Sequence, residues 1–213
     1  MDFLWFLDLL LSRFEAELAY ELGIFLLGVK SMRVFISGGC KNGKSTYAQN
    51  YAHAQGEPLY YIATMDAVDH EDVERIRRHR AERVGMGFIT IEQPTRIEEV
   101  LEKCDVQGSF LLDSLTALLA NEMFSSSGSV DESACKRVAD GVVKVLERVR
   151  NIVIVSDYIY SDAMLYDPLT QRYRKDLAHL DRVAAQYSDA VLEIAYTQII
   201  THKSCLTNGS ERT

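Results

Sequence analysis

The eight residues Gly38-Gly39-Cys40-Lys41-Asn42-Gly43-Lys44-Ser45 constrain this chain more than any other segment. They follow an apolar, strand-like run, Val34-Phe35-Ile36-Ser37, and precede a helix-like run from Thr46 to Ala54. A strand, a glycine-rich turn and then Gly-Lys-Ser opening a helix make a phosphate-binding loop in its proper context. Glycines let successive backbone N–H groups turn inward around a polyphosphate, at a helix N-terminus that already favours anions. In that arrangement Lys44 reaches the outer phosphates and the Ser45 hydroxyl takes a place on Mg2+. The competing account is a glycine turn that only caps a helix. The sequence points to a nucleoside polyphosphate ligand.

At 213 residues and 47 % hydrophobic content, the chain suits one globular α/β domain with a substantial core. A formal net charge of −8 argues against nonspecific binding to nucleic acid or anionic membrane, although a local basic run occupies 75–83. The four cysteines, Cys40, Cys104, Cys135 and Cys205, lack metal-ligand spacing, and one lies inside the phosphate loop. Reduced thiols and a cytoplasmic location are the expectation. The first thirty residues are apolar, but Asp2, Asp8, Glu15, Glu17 and Glu21 interrupt them. No apolar run there reaches bilayer-spanning length, and a secretory start with its cleavage site is not recognisable. Two readings stay open: an amphipathic helix that packs on a partner or on the domain, or an upstream extension. The expected division is an extension over 1–31, a nucleotide-binding domain over 32–203 and a disordered tail over 204–213.

Strand and helix signals alternate along the rest of the chain. Strand-like runs fall at 33–37, 59–63, 88–91, 109–112, 152–156 and 191–195, with a last one near 198–202. Helical periodicity fits 44–54, 71–83, 96–103, 115–124, 132–150 and 177–187. Short strands separated by helices predict crossover units, hence an α/β fold with a mainly parallel sheet and helices on both faces. Ser125-Ser126-Ser127-Gly128-Ser129 reads as a flexible loop within that domain, because too little sequence follows for a second one.

Three further segments fall where a parallel sheet presents its functional loops, after strand ends. Tyr61-Ile62-Ala63-Thr64 closes the second strand. The basic helix Arg75-Ile76-Arg77-Arg78-His79-Arg80-Ala81-Glu82-Arg83 leads to Phe88-Ile89-Thr90-Ile91-Glu92. Leu111-Leu112-Asp113-Ser114-Leu115-Thr116 continues to Asn121. Taken in order with the phosphate loop, these segments resemble the adenosylcobinamide kinase/adenosylcobinamide-phosphate guanylyltransferase family, whose members carry two activities of late cobalamin assembly. The resemblance covers residues 32 to about 203. Each motif is short; the specificity lies in their order and spacing.

The resemblance implies a P-loop NTPase fold of the RecA-like type. It implies ATP and GTP as substrates, Mg2+ as cofactor, and adenosylcobinamide and its phosphate as the other partners. It also implies that His79 attacks the α-phosphorus of GTP and carries GMP as a phosphoramidate. A neutral imidazole is a fair nucleophile near neutral pH. Arg78 and Arg80 would supply positive charge for a phosphate while depressing the histidine pKa. The alternative is a solvated basic helix face with an incidental histidine. Asp113 ends an apolar strand, where a Walker-B carboxylate approaches Mg2+ through water or Ser45. Capping of the following helix is the ordinary alternative for an aspartate there. By the same resemblance Ala63, Thr64 and Met65 lie along the nucleotide, and Arg80, Ala81, Glu82, Arg83 and Glu92 contact it. Glu92 is also an ordinary surface position. The expected catalytic set is His79, Lys44 and Asp113, and the expected metal pair is Ser45 and Asp113. Family members oligomerise, so a homotrimer is expected, with no nucleic-acid partner and no transmembrane segment.

The other histidines carry less. His53 sits near a helix end, where the dipole explains it. His70 lies among Asp69, Glu71 and Asp72, but one exposed turn rarely makes ligands converge. His179 and His202 have no recognisable partners in sequence. The last third departs from the family. Where the family carries Asn-Glu-Val-Gly, this chain has Ser156-Asp157-Tyr158-Ile159 and continues through Tyr160, Asp162 and Met164. A later Gly-x-x-Asn-Gln pattern reads Ala178-His179-Leu180-Asp181-Arg182, and Val84 replaces a common proline. The lost glycines matter because they permit backbone conformations that Tyr and Ala do not. Asp157, Tyr160, Asp162 and Arg174 are candidates for a replacement polar wall. Two rivals to the bifunctional reading follow: a divergent small-molecule kinase without the guanylyl step, and a catalytically silent nucleotide-binding regulatory partner. Lys44, Ser45, His79 and Asp113 together weigh against the silent module, which has no chemical need for all four.

Overall fold

Strand β1 (Met32–Gly38) is hydrogen-bonded in parallel to β5 (Asn151–Asp157) on one side and to β6 (Ala190–Ala195) on the other. From this centre the seven-stranded sheet runs β3-β2-β4-β5-β1-β6-β7. Here β2 is Leu59–Ala63, β3 is Ile89–Glu92, β4 is Ser109–Asp113 and β7 is Gln198–Lys203. Every pairing is parallel except β6 with β7, an antiparallel edge whose residues are all exposed. The computed structural model describes residues 31–67, 70–124, 129–196 and 198–204. The expected N-terminal extension, the tail from 205 and most of the serine-rich loop lie outside the described residues.

The central strands β1, β2, β4 and β5 are buried on both sides, which is why they read as nearly continuous apolar runs rather than alternations. Phe35, Tyr60, Ile62, Phe110, Leu112, Ile152 and Ile154 join one core cluster with three helices, α4 (Leu115–Met123), α5 (Ala134–Arg148) and α6 (Pro168–Tyr187). Their strand neighbours Val34, Ile36, Leu111, Val153 and Val155 point to the opposite face and are buried as well. On that face α1 (Lys44–Ala54) contacts β4 and β5 and buries Ala48, Tyr51 and Ala52. The expected mainly parallel sheet with helices on both faces is what the chain forms.

Element boundaries differ from the expectations for local reasons. Helix α6 begins at Pro168, not at 177. Asp167 caps it by accepting from the backbone N–H groups of Leu169 and Thr170, and Pro168 suits a first helical position. The polar stretch Arg172 to Lys175 hid this first half from an apolar-periodicity search. The helix expected over 96–103 is a 3-10 turn, Ile97–Glu99, running into the short α3 (Val100–Lys103). Strand β3 lies one residue later than 88–91, as Ile89–Glu92, and α2 is His70–Glu82. Helix α5 ends at Arg148 rather than at 150, because the Arg150 N–H bonds the Val106 carbonyl and starts the chain into β5.

Candidate active site

The phosphate loop links β1 to α1. Gly43 precedes the helix at φ 91°, in the left-handed region that favours glycine. Gly38 is required for a different reason: a methyl group there would run into the Ile194 carbonyl of β6 and into Lys44 Cδ. Asn42 donates its side-chain N–H to that same Ile194 carbonyl and so ties the loop to β6. Lys44 is 5 % exposed, and its ammonium donates to the Gly39 carbonyl at 2.7 Å and to Asp157 Oδ1 at 2.7 Å.

Asp113 ends β4, beside Ala63 of β2 and Val155 of β5. Tyr61, two residues earlier on β2, donates its hydroxyl to Asp113 Oδ2 at 2.9 Å. Burial and then the charge of Asp113 push the Tyr61 phenol far above its ordinary range, so it stays protonated and remains a donor. His79 Nδ1 lies 3.8 Å from the same Oδ2, an electrostatic contact beyond hydrogen-bonding distance. Capping of α4 falls to Ser114, whose hydroxyl accepts from the Ala117 N–H. Asp113 therefore does not cap α4; it stands as the last residue of β4.

A cavity of about 1020 Å³ brings the phosphate loop together with α2, Asp113 and Asp157. Of the expected residues, Cys40 through Ser45, His79, Ala81 and Asp113 line it. Ala63, Met65, Arg80, Arg83 and Glu92 do not; they line a separate space of about 30 Å³ that also touches His79 and Asp113. Arg80 and Glu92 form an exposed ion pair at 2.7 Å, and the Arg83 guanidinium lies 3.4 Å over the Tyr61 ring. Thr64, expected along the nucleotide, is fully buried. Its hydroxyl accepts from the Ser114 N–H at 2.7 Å and donates to the Ser114 carbonyl at 2.8 Å. Its own carbonyl accepts from Asn121, which also donates to the Pro94 carbonyl. The Thr64 and Asn121 motifs are therefore two halves of one backbone clamp. The Glu82 side chain lies outside the described residues.

Helical spacing explains the division along α2. His70, Glu74, Arg77, Arg78 and Ala81 face the large cavity, whereas Ile76 and Arg80, with Arg83 just past the helix end, face the small one. His79 stands on the boundary and touches both. The proposed polar wall does not exist as a unit. Asp157 lines the cavity, but Arg174 is buried beneath the 159–166 loop with Asp162, and Tyr160 bonds Asp181. Thr116 is the residue that sequence reasoning passed over: its hydroxyl accepts from the Asp157 N–H at 2.9 Å. Its place one turn after Asp113 was the available signal.

The donor set fits Mg2+. The Ser45 hydroxyl and the Asp113 carboxylate are hard oxygen donors lining the same cavity. Mg2+ in phosphate-binding sites takes one or two protein oxygens, completing its shell with water and phosphate. Among the described residues no group of three or more His, Cys, Asp or Glu could hold a metal ion, and none is needed for that mode. Cys40, Cys104 and Cys135 form no disulfide, and no helix among the described residues is long and apolar enough to cross a membrane.

Fold and site together define a P-loop NTPase of the RecA-like type. The chain belongs to the cobinamide kinase / cobinamide phosphate guanyltransferase family, whose sequence profile matches residues 34–198. It is 28 % identical over 162 residues to the bifunctional adenosylcobalamin biosynthesis protein CobP of Pseudomonas aeruginosa, covering 75 % of this chain and 91 % of that one. It is 29 % identical over 102 residues to the bifunctional adenosylcobalamin biosynthesis protein CobU of Escherichia coli, covering 47 % of this chain and 55 % of that one. A solved Pyrococcus horikoshii OT3 structure superposes with a TM-score of 0.51 at 12 % identity, over 86 % of this chain and 92 % of the other, and shares the fold.

Proposed function

We propose that this protein acts in adenosylcobalamin biosynthesis, phosphorylating adenosylcobinamide with ATP or GTP and then transferring GMP from GTP to the resulting phosphate. The observation that carries the reading is a single cavity lined by Lys44, Ser45, His79 and Asp113. Family membership and the two bifunctional relatives support it.

In the kinase half, the backbone amides from Gly38 to Ser45 and the Lys44 ammonium hold the polyphosphate. Ser45 and Asp113 would hold Mg2+, which when bound neutralises charge developing on the phosphate oxygens. The remaining contribution is positioning of the acceptor hydroxyl against the γ-phosphorus.

In the guanylyl half, the Asp113 carboxylate lies 3.8 Å from Nδ1 of His79 and stabilises positive charge that develops on the ring as Nε2 attacks. Nε2 carries the lone pair that attacks the α-phosphorus of GTP. A P–N bond forms, the bond from the α-phosphorus to the bridging oxygen breaks, and pyrophosphate leaves. A phosphate oxygen of adenosylcobinamide phosphate next attacks the same phosphorus. The P–N bond breaks, His79 is regenerated and adenosylcobinamide-GDP is the product. Arg77 and Arg78 line this side of the cavity and supply positive charge for the transferred group.

Incubation with α-labelled GTP tests the reading. The wild-type chain should gain one acid-labile GMP on the peptide containing His79, and His79→Ala should gain none. Labelling that persists in His79→Ala would remove this histidine from the mechanism. Lys44→Ala should lower both nucleotide affinity and transfer, and normal turnover in that variant would refute the phosphate-loop assignment.

A further inference from the structure

Among the described residues three carboxylates line the large cavity: Glu74, Asp113 and Asp157. Glu74 is exposed and paired with Arg77 at 3.0 Å. Asp113 Oδ2 accepts from Tyr61 and faces His79. Asp157 stands apart from both. Strand β5 lies between β1 and β4, so its last residue projects from the sheet edge between the phosphate loop and Asp113. In register, Asp157 lies beside Gly38, and Val155 beside Asp113.

Asp157 is fixed there from two directions. Its backbone N–H donates to Thr116 Oγ1 at 2.9 Å, and the Thr116 carbonyl is in turn held by the Tyr173 hydroxyl at 2.8 Å. Its side chain, 18 % exposed, accepts from Lys44 Nζ at 2.7 Å. A phosphate-loop lysine contacts the outer phosphates. An ammonium donating at once to Asp157 and to a phosphate oxygen brings those two acceptors within about 5 Å of each other, given ordinary hydrogen-bond lengths. The Lys44 ammonium between them offsets their repulsion, and Asp157 keeps its second oxygen, Oδ2, for a further donor in the cavity. An alcohol is such a donor, with its hydrogen toward the carboxylate and an oxygen lone pair toward the phosphorus.

We propose that Asp157 is the catalytic base of the phosphoryl-transfer step, receiving the acceptor alcohol's proton as its oxygen attacks the γ-phosphorus. This rests on the kinase activity proposed above. The alcohol O–H bond breaks with its proton going to Asp157, and a new O–P bond forms. The bond between the γ-phosphorus and the β,γ-bridging oxygen breaks, and the nucleoside diphosphate leaves. Asp157 then returns its proton to the new phosphate ester or to water. Asp113 and Asp157 thereby divide the work: Asp113 serves the metal and His79, and Asp157 serves the acceptor hydroxyl. Lys44 joins the two halves, because the lysine that draws in the phosphates also aims the base.

The test separates turnover from nucleotide binding. Asp157→Asn keeps the side chain's shape and can still accept from Lys44, but it is no base. Its kcat for adenosylcobinamide phosphorylation should fall at least about a hundredfold, the lower bound for loss of a general base. Its calorimetric Kd for ATP and GTP should stay within about threefold of wild type, a difference well under one pK unit's worth of binding energy. Asp157→Glu, which retains a carboxylate on a longer arm, should recover part of the lost kcat. A kcat for Asp157→Asn within threefold of wild type overturns the proposal. So does a parallel loss of nucleotide affinity, which would make Asp157 a nucleotide or metal residue. If wild-type protein binds nucleotide yet phosphorylates no cobinamide, the kinase reading itself fails, and that is visible in the wild-type control alone. Should Asp157→Asn not fold, the Asp157→Glu comparison still decides, since an unchanged Kd with reduced kcat is required of it.

Discussion

The guanidinium of Arg83 lies 3.4 Å above the centroid of the Tyr61 ring, and the hydroxyl of that ring holds Asp113. An arginine over an aromatic face is attracted by the ring's quadrupole, more so when both are desolvated as here. The basic run on α2 therefore has two uses. Its cavity side offers charge to phosphate, and its last arginine braces the tyrosine that orients the site's carboxylate.

Tyr61→Phe isolates the second use. The ring stays for Arg83, but Asp113 loses a buried donor. A hydrogen bond to a charged acceptor contributes about 1.5–3 kcal/mol, so a site that needs Asp113 fixed should slow by roughly tenfold or more. The initial rate of His79 labelling from α-labelled GTP measures this. An unchanged rate would mean that Asp113 holds its place without Tyr61.

Gly38 and Gly39 make a paired prediction. A methyl at Gly38 meets the backbone carbonyl of Ile194 and the Lys44 side chain, whereas a methyl at Gly39 meets nothing within 4 Å. Forcing an extra group into packed surroundings costs about 1–3 kcal/mol, while substitutions in open space stay within about 0.5 kcal/mol. Denaturant titration should show Gly38→Ala clearly destabilised and Gly39→Ala close to wild type. Equal costs at the two positions would contradict the close approach of β1 to β6.

What the sequence made legible was contiguous. The phosphate loop, the Asp113 strand end and the basic helix each reveal themselves within a dozen residues, because local geometry fixes their spacing. The Thr64–Ser114–Asn121 clamp was hidden, since β2 and β4 are adjacent only through a crossover that sequence spacing does not encode. Asp157 was legible only as one candidate for a polar wall, because its pairing with Lys44 depends on β5 being inserted between β1 and β4. The resemblance placed Arg80 and Arg83 along the nucleotide; the structure sets both around the smaller space beside Tyr61. At about 100° per residue, Arg80 lies about 160° from Arg78 and Arg83 about 120–140° from Arg77 and Arg78, so of these pairs only Arg77 and Arg80, about 60° apart, share a side.

Asp181 gives a pH-dependent prediction. It lies on α6, is 3 % exposed, and accepts from Tyr160 at 2.7 Å. Burial pushes its carboxyl up to about 6 from an ordinary 3.8, with nearby Asp157 adding to the rise and the Tyr160 and Ser156 hydroxyls opposing it. A raised acid means that the native chain binds an extra proton between those two values. The contribution of Asp181 to stability is therefore most favourable below about pH 4 and declines as pH rises through about 6, above which its burial cost is complete. At 1.36 kcal/mol per unit, that cost is on the order of 3 kcal/mol above pH 7. Asp181→Asn removes the charge but keeps an acceptor for Tyr160. It should stabilise the protein at pH 8 and lose that advantage near pH 4. The same gain at both pH values would show that Asp181 is not protonated by burial.

Arg174 organises the loop that follows Asp157. Its side chain is buried, and its guanidinium donates to the carbonyls of Ile159 at 3.0 Å, Asp162 at 3.2 Å and Met164 at 3.3 Å. It also pairs with Asp162 Oδ1 at 3.0 Å and lies 4.4 Å over the ring of Tyr166. One planar cation thus gathers three backbone carbonyls, a task suited to its fork of donors and not to the point charge of lysine. The loop needs such a device, because Leu165 is 95 % exposed and contributes almost no burial of its own. Arg174→Met keeps the aliphatic bulk and removes every donor. The carbonyls then turn to water, and residues 159–166 lose their fixed path while the sheet remains intact. Limited chymotrypsin digestion should cut after Tyr160, Leu165 or Tyr166 at least tenfold faster than in wild type, a change of about 1.4 kcal/mol in local opening. Arg174→Lys should fall close to the methionine variant rather than to wild type. Wild-type cleavage rates in Arg174→Met would mean that packing against α6, and not the guanidinium, holds the loop.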